Sequence, residues 1–129
     1  MYRPTDRQAP LFGIGEILPA ASRARLHGSW AQGFAEAVFV ELLHVEGDFS
    51  SLYARDNGRP NWSVARLLGI VLLAELFNVA DQDALDALSF DARWQHALGL
   101  RPEEAYLSRR SLVEFRGRIA RQDAEALIG

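Results

Sequence analysis

Apolar residues recur along the chain at helical rather than pleated spacing. After Ser29, Phe34, Val38, Leu42 and Val45 step by four, four and three, and Ala35, Phe39 and Leu43 widen the stripe. Gln32, Glu36 and Glu46 fall off it. The pattern predicts a helix capped by Ser29, running to about Glu46 and stopped by Gly47. Val and Phe within 37–43 also suit a strand, but the length of the pattern and the lack of a partner strand favour a helix.

The next periodic segment, 64–79, is apolar almost all round and can be capped by Ser63. A helix of that kind sits buried at the centre of its domain, so it is the expected hub. Asp81 can cap a further helix carrying Ala84, Leu85 and Leu88 and ending near Phe90. Asp91 can start a short one with Trp94, Ala97 and Leu98, closed by Gly99. Pro102 and the Glu pair after it read as a turn. A last helix runs from Leu107 to about Arg121, capped by Ser108 or by Ser111, which has capping-box spacing to Glu114.

Between these segments, 48–53 reads as a single helical turn capped by Asp48. Asn57-Gly58 marks a tight turn, and Pro60 excludes helix at Arg59. Near the start, Pro4, Pro10 and Pro19 interrupt the chain, so residues 1–28 read as partly irregular, with a short helix at about 16–26 weakened by Pro19. No pair of strands is evident. The expected fold is all-α, one domain of five to six helices over 1–129 around a buried central helix.

Length and composition fit that picture. At 129 residues with 49% apolar and 24% charged positions, the chain can bury a core without disulfides or metal. It has no cysteine, which excludes thiolate metal sites and thiol nucleophiles. The N-terminal residues lack the apolar core of a signal peptide. The stretch 64–79 is too short and too charged to span a bilayer. A cytoplasmic protein with no membrane partner is expected.

Charge is distributed unevenly. All 14 basic residues are Arg, and the formal net charge is −3. Residues 1–92 hold seven Arg against twelve acids, whereas 93–121 hold seven Arg against three. Any contact with nucleic acid must therefore come from the C-terminal third. On the last helix, at 100° per residue from Arg109, the apolar Leu112, Phe115 and Ile119 fall between about 240° and 300°. Arg109 and Arg116 lie within about 20° of zero and Arg110 near 100°. A helix pinned to a core on one side and lined with Arg on the other has the layout of a DNA-recognition helix. A solvated charged face gives the same pattern.

Catalytic patterns are missing. His27, His44 and His96 have no metal-ligand spacing, and there is no nucleophile elbow. Gly13-Ile14-Gly15 opens like a dinucleotide loop but lacks the third Gly and a preceding strand. Asp81, Asp83 and Asp86 do not follow a calcium-loop pattern; acids there suit the start of a helix. No catalytic residue, metal, cofactor or small-molecule substrate is expected.

Four short motifs then carry a resemblance. Asp48-Phe49-Ser50-Ser51-Leu52-Tyr53-Ala54-Arg55, Gly58-Arg59-Pro60-Asn61-Trp62 before the apolar helix, Arg93-Trp94-Gln95-His96-Ala97-Leu98-Gly99-Leu100, and Ser111-Leu112-Val113-Glu114-Phe115-Arg116-Gly117-Arg118-Ile119 stand in this order. Together with the opening Met1-Tyr2-Arg3-Pro4, this resembles the N-terminal domain of bacterial insertion-sequence transposases of the DDE type. Gly117 stands where that family more often has Arg. The resemblance implies a helix-turn-helix-like module that helps bind the terminal inverted repeats of a mobile element. It also implies that catalysis resides in a separate RNase-H-like domain with three metal-binding carboxylates, so the chain alone is expected not to be an enzyme. The expected DNA-binding residues are Arg109, Arg110, Arg116 and Arg118, with Arg59 and Arg93 as secondary candidates. The competing expectation is a homo-oligomerisation module with little DNA affinity, favoured by the acidic front portion and the apolar 64–79 helix.

Overall fold

The computed structural model describes residues 14–49 and 62–128, with no strand among them. The motif residues 50–61, including Arg59, and the first 13 residues lie outside this description. So do the predicted turns at Asn57-Gly58 and Pro60.

Two short helices, α1 (Ile14–Ile17) and α2 (Ala20–His27), replace the single helix expected at 16–26. Pro19 separates them, having no N–H to continue the first. The Arg23 side chain donates to the Leu18 carbonyl at 3.1 Å and ties the break together.

Ser29 then caps the next rod as expected, its Oγ accepting from the Ala31 amide at 3.2 Å. The rod is not a uniform α-helix. It consists of α3 (Trp30–Gly33), a π-helical turn (Phe34–Val38) and α4 (Phe39–Phe49), following one another without a break. The Phe39 amide bonds to the Phe34 carbonyl, five residues back. One extra residue in a turn rotates everything beyond it. The inward positions are therefore Ala31, Phe34, Phe39 and Glu46, while Val38, Leu42 and Val45 are only half-buried. Gly47 does not stop the rod, and Asp48 lies within it rather than capping a separate turn.

Antiparallel to α4 lies α5 (Val64–Phe77), the central helix. Its first turn is capped twice. Ser63 Oγ accepts from the Arg66 amide at 3.2 Å, and Glu46, 1% exposed, reaches across from α4 to accept from the Ala65 amide at 3.1 Å. At its other end Asn78 takes the left-handed conformation (φ 52°) that closes a helix, and the Val79 amide bonds back to Ala74.

Next come α6 (Asp81–Phe90) and α7 (Ala92–Ala97), joined at Asp91. Asp91 caps α7 as expected, accepting from the Arg93 amide. Asp81 does not cap α6: Ala80 holds that position, and Asp81 is the first helical residue. Gly99, at φ 64°, ends α7. After a 3₁₀ turn (Pro102–Glu104) comes α8 (Arg109–Ile128), longer than the periodicity suggested. Ser108 is its cap, accepting from the Ser111 amide at 3.1 Å. Ser111 is not.

The core gathers around α5, which packs on α4, on α8 and on the residues that end α7. Leu67, Ile70, Leu73, Leu98, Leu112 and Phe115 are all essentially inaccessible to solvent. A Cβ at Gly69 would collide with the Leu98 side chain, so the absence of a side chain there lets α7 close on α5. Arg66 completes the joint: its Nε donates to the Leu98 carbonyl at 3.1 Å and its Nη2 to Gly99 at 2.7 Å. These carbonyls stand at the negative end of α7, where a cation is favourably placed. The central helix is nevertheless open along one flank, for Leu72 and Leu76 are exposed, whereas Phe77 packs its ring against Trp30 and Trp94. Leu68, Leu72 and Leu76 follow one another at four-residue steps on that flank.

Candidate nucleic-acid interface

Helix α8 is held in place by its apolar stripe. Leu112 and Phe115 are buried and Ile119 half-buried, against α5 and α6. With that stripe turned inward, Arg109 and Arg110 stand in solvent. Arg110 pairs with Glu114 one turn on, at 3.2 Å, while its own side chain stays 88% exposed. Arg109 makes no ion pair among the described residues. Such exposed pairs are weak, ~0–1 kcal/mol, so Arg110 can exchange Glu114 for another anion.

Arg116 does something else. Its Nη2 lies 3.0 Å from Asp81 on α6, and its Nη1 3.8 Å from Glu75 on α5. The side chain is 31% exposed, and its Nε is buried with no hydrogen-bond partner. The wheel places Arg116 beside Arg109 but says nothing of what stands next to each. Two turns along α8 from Arg109, the start of α6 brings Asp81 to the guanidinium. Arg118 is half-buried as well.

Arg93 binds Asp91 with two hydrogen bonds, at 3.1 and 2.8 Å. That contact, opposed by partial burial, holds the Asp91 carboxyl below its ordinary range and raises the Arg93 guanidinium above its own. Arg101 is engaged in the same manner by Glu103 and Glu104. The structure thus groups Arg109 and Arg110, ties Arg116 into the helix junction, and holds Arg93 against Asp91 on α7.

Two functional side chains escaped the sequence reading. Arg66 stood in the first turn of an apolar helix, where a cation opposes the helix dipole. That misfit was the available signal of a tertiary partner. Glu46 gave none, because a regular helix places it off the buried stripe.

The histidines are dispersed. His44 is exposed near Glu41. His96 is half-buried, its Nε2 2.7 Å from Gln32 Oε1 and its ring 5.6 Å from that of His27. Among the described residues no group of three or more His, Asp or Glu is placed to hold a metal ion. Asp81 serves Arg116, and Asp86 accepts from Gln82 at 3.0 Å. No described helix is long and apolar enough to cross a membrane.

The described residues form an all-α bundle whose last long helix is anchored on one side, with Arg109 and Arg110 in solvent on the other. The comparison with protein families places the chain. Residues 35–118 match the transposase domain family DUF772, and the chain belongs to it. No curated protein and no solved structure matches the chain.

Proposed function

We propose that this chain is the DNA-binding N-terminal module of an insertion-sequence transposase of the DDE type, recognising the terminal inverted repeats of its element. In this reading strand transfer belongs to an RNase-H-like domain, and the helical module positions DNA for it. The observation that carries the reading is the exposure of Arg109 and Arg110 at the start of a helix whose opposite face is buried. In this reading the C-terminal part is helix-turn-helix-like, and α8, seated on α5 and α6, meets the duplex.

Affinity comes from phosphate contacts, which carry no sequence information, while groove contacts select the repeat. Arg118, half-buried, and Arg93, bound to Asp91, are the further contacts to the duplex in this reading. Arg116 supports α8 through Asp81 more than it reaches outward. Binding by the module alone is weak, on the order of micromolar or looser at physiological salt.

Fluorescence anisotropy of a labelled terminal-repeat duplex, titrated at several salt concentrations, tests this. Each lost phosphate contact lowers the log–log salt slope by about one, so Arg109→Ala with Arg110→Ala lowers it by about two. Unchanged curves with unchanged circular dichroism reject the reading.

A second reading, pairing of transposase protomers, is favoured by the open flank of α5. Leu72→Glu with Leu76→Glu would then abolish self-association in sedimentation while leaving duplex binding intact.

A further inference from the structure

The two most exposed large hydrophobic side chains among the described residues are Phe90, 86% exposed, and Tyr106, 71% exposed. They are remote in sequence, but the segments that carry them are hydrogen-bonded to each other. Ser89, beside Phe90, donates from Oγ to the carbonyl of Ala105, beside Tyr106, at 3.0 Å. The Trp62 indole N–H in turn donates to the Tyr106 carbonyl at 2.9 Å, fixing the backbone from which that ring projects. The junction is therefore anchored at two points, while its rings remain in water.

Neither ring serves the core. An apolar ring left in solvent forgoes the stabilisation that burial brings, and a polar residue at either position would cost the fold little. The surroundings say what could cover them. Arg109, a cation of α8 without an ion pair among the described residues, follows Tyr106 by three positions in the chain, and Arg93, bound to Asp91, follows Phe90 by three. The carboxylates nearby are already engaged, Asp91 by Arg93, and Glu103 and Glu104 by Arg101. A protein partner would look for a continuous apolar patch. Here the chain on either side carries charge, Asp91 and Arg93 after Phe90 and the Glu pair before Tyr106.

Exposed rings among arginines suit one ligand chemistry: a nucleic-acid strand with unstacked bases. Each base offers a π-face to an aromatic ring, and its phosphate a charge to Arg. A duplex interior hides its base faces, so the rings can be used only at an end, a nick or a single-stranded segment.

We infer that Phe90 and Tyr106 form a stacking platform for unpaired bases beside the basic start of α8, so that the module engages an opened DNA terminus. This rests on the DNA-binding reading of α8 and adds a substrate feature to it. The duplex is held through Arg109 and Arg110. The unpaired bases beyond it lie on the two rings.

The test compares three labelled probes by anisotropy: an oligo(dT) strand, a blunt duplex, and the same duplex with a short unpaired dT tail. Phe90→Ser with Tyr106→Ser is expected to weaken the strand and the tailed duplex about tenfold or more, the loss of at least one stacked base, and to change blunt-duplex binding less than twofold. Phe90→Trp should retain strand binding, with its fluorescence quenched by the oligonucleotide. If the wild type binds blunt duplex but the Ser variant binds the tail equally well, the platform is refuted and the reading of α8 stands. If the wild type binds none of the probes, both fall. Self-association that disappears in the Ser variant while all DNA binding persists identifies the rings as a protein contact and overturns the inference.

Discussion

Arg66 and Arg109 carry the same side chain and serve opposite ends. In the joint between α5 and α7, Arg66 gives two hydrogen bonds to carbonyls that end a helix, and the apolar helices close around it. At the start of α8, Arg109 stands in water, with no carboxylate among the described residues to hold it. The difference lies in the neighbours. Exposed helix termini with partial negative charge absorb a cation into the structure, whereas a capped helix start resting on a buried stripe leaves its cations for something else. Arg116 stands between the two cases, half-buried and bound to Asp81.

The comparison breaks most readily in the core beneath Arg66. Leu73 is inaccessible and Leu76, on the same helix, is 68% exposed. Leu73→Ala should cost ~2–5 kcal/mol through lost transfer energy and the cavity left behind. Leu76→Ala should stay within about 0.5 kcal/mol. Urea midpoints at unchanged slope measure both, and equal shifts would contradict the packing of α5.

A smaller effect is expected at the joint itself. Arg66→Met keeps most of the aliphatic stem but leaves the Leu98 and Gly99 carbonyls without their donor. The expected loss is ~1–3 kcal/mol. Arg109→Met, by contrast, should leave the urea midpoint in place. Equal stability losses in the two variants would mean that both arginines serve the fold alike.

The smallest effect concerns acid. His96 is held below its ordinary value of 6.5, first by burial and then by His27 nearby, with Glu36 opposing. Between the folded value and 6.5 the unfolded chain binds more protons than the folded one, so stability falls as pH is lowered through this window. Thermal melts between pH 7 and 5 should show the decline, and His96→Gln should flatten it. A slope unchanged in that variant would assign the acid sensitivity elsewhere.

Much of the architecture could be read from local chemistry. Ser29, Ser63 and Asp91 accept the amide bonds their positions suggested, and Gly99 turns the chain where it should. The stripe Leu112–Phe115 is buried as its spacing required. The misses share one cause. Glu46, Leu72 and Arg116 were placed by assuming a straight, regular helix and a generic neighbour. The π-helical turn at Phe34–Val38 swung Glu46 inward, the open flank of α5 left Leu72 in water, and the start of α6 captured Arg116.

Helix positions, caps and the inward stripe of α8 depend on contacts within a few residues, which is why composition and spacing suffice for them. The order of motifs from Asp48 to Ile119 likewise carries the family relationship without coordinates. Which arginine is a clip, which is free and which aromatic rings stand on joined segments are decided by segments far apart in the chain. Arg66 meets carbonyls 32 and 33 residues away, and Trp62 a carbonyl 44 residues away. A side chain's periodicity fixes its direction around its own axis. Only the packing of the other helices determines whether that direction ends in a carbonyl, a carboxylate or water.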